Sequence, residues 1–103
     1  MGIVKPWYGP YAGMAKFPSG WTVDADGKRV STELKTEDFL DALDLFREIG
    51  AVAEELEHHP DLHLEQWNRV RIVSYSHDVG TLTERDERLV ARIEAILHRR
   101  GQK

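Results

Sequence analysis

A run of apolar residues with helical spacing constrains the fold of this chain more than any other feature. These residues recur at intervals of three and four: Phe39, Ala42, Leu43, Phe46, Ile49, Ala53 and Leu56. The spacing predicts one helix of about twenty residues with a single apolar stripe. Thr36 can cap its start, with Glu37 and Asp38 in the first turn, where the helix dipole favours acids. Pro60 should end it, because the residue before a proline is disfavoured in helical geometry.

A β-hairpin is predicted before this helix. Residues 21–23 and 29–34 have the composition of strands and flank a short turn. The Asp26-Gly27 step in that turn supplies the positive φ that a hairpin needs. Residues 1–20 contain three prolines and four glycines, which prevent a regular helix or a central strand. We therefore expect an extended N-terminal arm that packs through its aromatic side chains.

Two more strands and a second helix are predicted after the long helix. Residues 67–76 alternate between an apolar and a polar face, and a short strand near residues 62–65 can precede them. Thr83 and Asp86 fit a capping box, and the apolar stripe from Leu89 to Leu97 predicts the last helix. This order of elements predicts an α+β fold, a two-layer sandwich with helices on one face of an antiparallel sheet.

The composition limits the classes of function. A chain of 103 residues is long enough for a single domain. We expect this domain to comprise residues 21–103 and to follow the arm formed by residues 1–20. The net charge of −4 disfavours an electrostatic hold on nucleic acid or on anionic lipid. The chain has no cysteine, which excludes a disulfide framework and makes the reducing cytoplasm the default compartment. Since no apolar run is long enough to span a membrane, we expect a soluble cytoplasmic protein without direct nucleic-acid or membrane contact.

Three histidines and one acid form a spaced set of groups that can carry protons. His58 and His59 stand where the long helix ends, His77 follows the strand, and Asp86 lies at the start of the last helix. The helix dipole favours the imidazolium form and burial opposes it, so the first two can titrate near neutrality. Asp86 can fix the tautomer and orientation of one ring. The set suits acid-base chemistry and contains no nucleophile.

Other interpretations of these residues stay open. Imidazole is the commonest metal ligand, but adjacent helical residues point about 100° apart and the chain offers no cysteine, which disfavours a metal site. Asp86 can be no more than an acid at a helix start. Trp67 can be strand core, or a pocket wall that stacks on a flat ring. His98 fits a helix-end cap and His63 a strand or loop residue.

The spacing of these residues resembles the signature of a known family, the pterin-4a-carbinolamine dehydratases, also known as dimerization cofactors of a homeodomain transcription factor. The signature is matched by Glu54, His58-His59-Pro60, Trp67, His77 and Asp86. The flanks agree as well, so that the resemblance covers roughly residues 20–98. The flanking matches are Gly20-Trp21, Asp38-Phe39, Ala42, Phe46, Ser76, Asp78 and Leu82-Thr83.

The resemblance implies a fold, a reaction and a set of site residues. The family has an α+β fold with a four-stranded antiparallel sheet, forms dimers and often tetramers, and needs neither a metal nor another cofactor. Its enzymes are lyases that remove water from a 4a-hydroxytetrahydropterin, giving quinonoid dihydropterin and so recycling tetrahydrobiopterin-type cofactors. The implied catalytic residues are His58, His59, His77 and Asp86. The implied substrate-binding residues are Glu54, Pro60, Trp67, Ser76 and Asp78.

Several positions depart from the pattern of the family. A helix usually precedes the Gly-Trp step, whereas this chain has the proline- and glycine-rich arm. Thr36, Ser74 and Thr81 stand where a Phe, an apolar residue and a Gly are usual. Some proteins of this fold instead act as Rubisco assembly factors or bind a transcription factor, so a non-catalytic binding protein is the alternative function. Those assembly factors generally lose catalytic residues, and the three retained histidines favour the enzyme. The sequence does not tell which pterin is preferred, which histidine is acid or base, or whether the protein is a dimer or a tetramer.

Overall fold

The computed structural model describes residues 17–102, and this part of the chain contains the predicted strands and helices. They are β1 (Thr22–Val23), β2 (Arg29–Lys35), α1 (Phe39–Leu56), β3 (Asp61–Glu65), β4 (Arg69–Tyr75) and α2 (Glu84–Arg99). The strands form one antiparallel sheet in the order β1-β2-β4-β3. Both helices pack on the same face of this sheet, and the predicted α+β fold is confirmed. Most of the predicted arm, residues 1–16, lies outside the described residues.

The core lies between the sheet and the two helices. Strands β2 and β4 present alternate side chains to it, such as Val30, Val70 and Ile72. Burying such an aliphatic side chain stabilises the fold by about 1.5–3 kcal/mol. The helices complete the core with Ala42, Leu45, Ile49, Val52, Ala53, Leu89, Val90, Ile93, Ile96 and Leu97. Neither of the helices described is both long enough and apolar enough to cross a membrane.

Helix α1 begins after Asp38, and the prediction of Thr36 as its cap is wrong. The Asp38 carboxylate accepts a hydrogen bond of 2.7 Å from the N–H of Asp41. Glu37 and Asp38 therefore precede the first turn and do not lie within it. The backbone N–H of Thr36 still pairs with the Asn68 carbonyl at the end of the sheet (3.0 Å). This sheet contact delays the start of the helix until the chain has left the strand.

The end of α1 also differs from the prediction, because Pro60 does not stop the helix. Glu57 takes a left-handed conformation with φ of 53°, and its N–H donates back to the Ala53 carbonyl. The N–H of His58 donates to the same carbonyl at 3.1 Å. This cap closes the helix at Leu56. The two neighbouring histidines consequently lie on the connection to β3, where the backbone can turn the first of them towards the core.

The buried face of α1 is rotated relative to the predicted stripe. Leu45 and Val52 are buried, although the stripe did not include them. Phe39 and Leu43 belong to the stripe but are 49% and 43% exposed, and Leu40 between them is 73% exposed. We refer to these three exposed residues, Phe39, Leu40 and Leu43, as the α1 patch.

Strand β4 begins at Arg69, and not at Trp67 as the alternation predicts. Gln66 and Trp67 have positive φ values of 49° and 62° and form the turn between β3 and β4. The side chain of Trp67 is 59% exposed, so it is not part of the strand core. The alternation is confirmed from Arg69 to Ile72, with Val70 and Ile72 buried under the helices. It does not extend to Val73, which the pattern assigns to the polar face and which is buried as well.

Candidate active site

Helix α2 begins with a capping box that brings a carboxylate into the interior. The hydroxyl of Thr83 accepts from the N–H of Arg85 (3.2 Å), and the carboxylate of Asp86 accepts from the N–H of Thr83 (2.9 Å). The predicted capping box is confirmed. The Asp86 side chain is fully buried, because α2 packs this end against β4 and its following loop.

Three side chains from other elements complete the surroundings of Asp86. Ser74 donates to Oδ1 at 2.5 Å, Ser76 donates to Oδ2 at 2.6 Å, and Nε2 of His58 lies 2.9 Å from Oδ1. Burial raises the pKa of Asp86, but the hydrogen bonds from the two serines and from His58 outweigh it and hold the pKa below its usual value. The carboxylate is therefore ionised in the folded protein at neutral pH.

The ionised carboxylate orients His58. The imidazole is only 8% exposed, and a carboxylate facing Nε2 fixes a proton on that nitrogen. Within residues 17–102 no hydrogen bond engages the other ring nitrogen, and Nδ1 is not sealed from solvent either. His58 can thus offer the lone pair of Nδ1 to a ligand.

The three histidines of the predicted set line one cleft of about 260 Å³. His58 and His59 come from the connection between α1 and β3, and His77 comes from the loop after β4. The remaining lining residues are Glu57, Tyr75, Ser76, Asp78 and Arg85. Among the described residues, no three His, Asp or Glu side chains are arranged so that they could hold a metal ion.

The two other histidines are more exposed than His58 and have different neighbours. Nε2 of His59 lies 2.5 Å from a carboxylate oxygen of Glu54, and both side chains are mostly exposed. The ring of His77 is tilted against the ring of Tyr75, with 5.8 Å between the centroids. The Tyr75 hydroxyl donates to Asp61 at 3.0 Å, and this hydrogen bond raises the pKa of Tyr75. The rings of Tyr75 and His77 together form one side of the cleft, which we call the aromatic wall.

An ion pair holds the loop that carries His77. The guanidinium of Arg85 donates to the carboxylate of Asp78 at 2.8 Å. This contact lowers the pKa of Asp78 and raises that of Arg85. The N–H of Gly80 donates to the Ser76 carbonyl and closes the turn of the loop. Side-chain and backbone contacts thus fix the position of His77 relative to α2.

The residues predicted to bind substrate do not all lie at the cleft. Ser76 and Asp78 line it, and Glu54 adjoins it through its contact with a histidine. Pro60 is partly buried in the same connection. Trp67 lies in the β3–β4 turn, at the end of that hairpin away from the cleft, and is not brought to it.

Three contributors to the site were not predicted from the sequence, and they are Ser74, Tyr75 and Arg85. Ser74 carried a signal, because a serine among apolar positions on the buried face of a strand needs a hydrogen-bond partner. Tyr75 is the last residue of β4, and its place on the predicted polar face of the strand gave no sign that it lines the cleft. Nothing in the local sequence links Arg85 to Asp78, because their contact depends on how α2 docks.

The chain is similar to proteins of one family over most of its length. The family model described as pterin 4 alpha carbinolamine dehydratase matches residues 11–96. The Arabidopsis thaliana protein named pterin-4-alpha-carbinolamine dehydratase 2, mitochondrial, is 38% identical over 80 residues, which are 76% of this chain and 43% of that protein. A Saccharolobus islandicus protein, provisionally named pterin-4-alpha-carbinolamine dehydratase, is 36% identical over 78 residues, covering 76% of this chain and 78% of its own length.

A solved structure has the same architecture. The crystal structure of a transcriptional coactivator/pterin dehydratase from Brucella melitensis aligns with a TM-score of 0.68 and 27% sequence identity. The alignment covers 76% of this chain and 82% of the other. The similarity of fold therefore extends over most of both molecules.

Proposed function

The chain belongs to the pterin 4 alpha carbinolamine dehydratase family, and from this we propose that it is a lyase that removes water from a 4a-hydroxytetrahydropterin and releases quinonoid dihydropterin. The observation that carries the proposal is the buried His58, oriented by an ionised carboxylate in a cleft shared with two other imidazoles. The proposed reaction requires proton transfer alone, which suits this set of side chains.

The reaction breaks one bond and moves two protons. The C4a–O bond breaks, and the hydroxyl takes up a proton and leaves as water. N5 loses its proton as its electron pair forms the C4a=N5 double bond. One acid and one base at neighbouring ring positions can catalyse both transfers. Imidazole serves in either role near neutral pH and typically contributes about 10²–10⁴-fold per group.

We assign the role of base to His58. Asp86 keeps the proton on Nε2, so that Nδ1 is available to accept the proton from N5. The resulting imidazolium would face the same carboxylate, which stabilises its positive charge. Asp86 is a positioning residue in this scheme, because it acts through His58 and does not contact the substrate.

The acid in this proposal is His77. Its ring nitrogens make no hydrogen bond within the described part of the chain, so they are free to donate to the leaving hydroxyl. The ion pair between Asp78 and Arg85 holds the loop that carries it. His59, paired with Glu54, is assigned to binding of the pterin ring at the open side of the cleft.

Stopped-flow absorbance of chemically generated 4a-hydroxytetrahydropterin tests the proposed function, because the uncatalysed dehydration provides a baseline. The wild-type protein should accelerate the reaction. His58→Ala and His77→Ala should abolish the acceleration while circular dichroism remains unchanged. His63→Gln is the matched control, since His63 is an exposed histidine of β3 that lies outside the cleft. A well-folded wild-type protein that gives no acceleration would refute the proposal.

A protein-binding role is the second candidate, and the α1 patch favours it. Its three apolar side chains are 43–73% exposed, and contiguous exposed apolar surface marks interaction sites. The Brucella melitensis relative is named both a transcriptional coactivator and a pterin dehydratase. A second copy of this chain, in a dimer or tetramer, or another protein would cover the patch. A purely binding protein would show no dehydration, and its partner binding would be unaffected by the histidine substitutions.

A further inference from the structure

A second recess adjoins the histidine cleft, and its charge is positive. It has a volume of about 200 Å³ and is lined by Lys28, Arg29, Tyr75, Ser76, His77 and Gly80. Tyr75, Ser76 and His77 line both the recess and the cleft. A ligand whose ring lies among the histidines could therefore extend a substituent into this recess.

The hairpin turn fixes the backbone that carries the two cations. The N–H of Lys28 donates to the Asp26 carboxylate at 3.0 Å. Gly27 has a positive φ of 70°, as the Asp-Gly step predicts. Its carbonyl accepts from the N–H of Leu82 at 3.2 Å, which ties the turn to the loop that carries His77. The recess is thus built from two segments held together by backbone hydrogen bonds.

Arg29 lies beside the aromatic wall. It is the cross-strand partner of Tyr75, and its guanidinium carbon is 5.5 Å from the centre of the Tyr75 ring, within the range of a cation–π contact. The ring of His77 is a second neighbour of the Tyr75 ring. No hydrogen bond or ion pair within residues 17–102 occupies the guanidinium of Arg29, and the edge of a guanidinium can bind an oxyanion with two parallel hydrogen bonds.

Neither Lys28 nor Arg29 forms an ion pair within residues 17–102. Arg85, the cation on the other side of the cleft, differs because Asp78 neutralises it. Both cations of the recess therefore lack a counter-ion in the described part of the chain. Their field attracts a negative group to this end of the cleft.

We propose that Lys28 and Arg29 form a subsite for an oxyanion at the end of the pterin side chain. This inference rests on the proposed function, because it takes the pterin ring to lie among the histidines. It narrows the substrate class to 4a-hydroxytetrahydropterins whose side chain ends in a phosphate or carboxylate, in preference to those with a neutral polyhydroxyl chain.

Equilibrium binding of neopterin and neopterin monophosphate tests the subsite, because the two fluorescent pterins differ only in the phosphate. The wild-type protein should bind the phosphate about three- to tenfold more tightly at low ionic strength, and salt should reduce the difference. Replacing both cations (Lys28→Gln with Arg29→Gln) should remove the preference. Lys35→Gln, at the far end of β2, should retain it. Equal Kd values in the wild type, or an unchanged preference in the double variant, would overturn the proposal.

Kinetics with the 4a-hydroxy derivatives of the same two pterins separate the subsite from the proposed function. The ratio of kcat/KM for the phosphorylated over the neutral substrate should fall in the double variant and stay constant in Lys35→Gln. A protein that prefers the phosphate but does not accelerate dehydration would refute the proposed function and retain the subsite. Dehydration without any preference for the phosphate would refute the subsite alone.

Discussion

The imidazole of His58 and the carboxylate of Asp86 form a buried pair, with 2.9 Å between Nε2 and Oδ1. The same carboxylate accepts from the N–H of Thr83 and so begins α2. One group therefore serves both the start of a helix and the orientation of a histidine. Ser74 and Ser76 keep it ionised while it does so.

Asp86→Asn should reduce both stability and the rate of dehydration. The amide has nearly the same size but loses the charge, and its NH₂ group faces donors that the carboxylate accepted. We expect a loss of about 1–3 kcal/mol in the free energy of unfolding, measured by urea denaturation. We also expect kcat to fall more than KM rises, with a changed pH profile of kcat/KM, because the imidazolium of His58 loses its counterion. An unchanged pH profile in a destabilised variant would show that Asp86 acts as a cap alone.

Asp86 should also influence stability in acid. Its pKa is lower in the folded than in the unfolded protein, where it is about 3.9, so its contribution is fully present above the unfolded pKa and is lost as the pH falls through the folded pKa. The difference in unfolding free energy between the wild type and Asp86→Asn should be constant above roughly pH 5 and shrink below it. Urea denaturation at a series of pH values measures this difference. A difference that grows on acidification would contradict the assigned direction of the pKa shift.

Ser74→Ala should raise the pKa of Asp86 towards its usual value, because it removes one of the hydrogen bonds that stabilise the ionised form. The expected loss of stability is about 1 kcal/mol. Titration of the Asp86 carboxyl carbon by NMR measures the pKa shift directly. Ser31→Ala is the matched control, because Ser31 lies in β2 on the face of the sheet opposite to that of Ser74. This substitution should change stability by less than about 0.5 kcal/mol. If the pKa of Asp86 is the same in Ser74→Ala and wild type, the serine does not stabilise the charge.

Arg85→Gln should raise KM several-fold with little effect on global stability. The substitution releases Asp78 and so loosens the loop that carries His77, whereas both side chains are too exposed to contribute much to folding. Steady-state kinetics and thermal unfolding measure the two effects. Arg92→Gln provides the control, because Arg92 forms a comparable exposed pair with Glu55 outside the cleft. Equal KM values in the two variants would argue against a role for the loop contact.

Leu40→Glu should shift the protein towards smaller oligomers, which light scattering would detect as a lower molecular mass in solution. A charge in the centre of the α1 patch would be costly to bury between copies of the chain, whereas the isolated domain exposes this side chain by 73% and should tolerate it. Circular dichroism should remain unchanged. A wild-type protein and a Leu40→Glu variant of the same mass would mean that the patch does not join copies of this chain.

The elements of this fold were predictable where the signal is local. The helical period of α1 and the alternation of β4 are properties of neighbouring residues, and both elements are present. The ends of the elements were less predictable, because they depend on contacts between distant residues or on unusual backbone conformations. The N–H of Thr36 pairs with Asn68 across the sheet, and Glu57 takes a left-handed conformation that is uncommon for a residue other than glycine.

The site was predictable in its residue types and less so in its contacts. His58, His77 and Asp86 could be singled out as acid-base groups from the sequence. That Asp86 faces His58, and not solvent, follows from the docking of α2 on β4, which no local pattern encodes. For Trp67 the sequence predicted a place in the site that the fold does not provide. Trp67 lies in the β3–β4 turn, at the end of the hairpin away from the cleft.

Because Asp86 both caps α2 and orients His58, the order of folding steps determines when the site is complete. His58 can take its place beside the sheet once the sheet and the first helix have met, but its imidazole is aligned only when the second helix has docked and delivered the carboxylate of Asp86. A partly folded chain would then be catalytically silent, and the appearance of turnover during refolding would mark the last docking event rather than the first collapse.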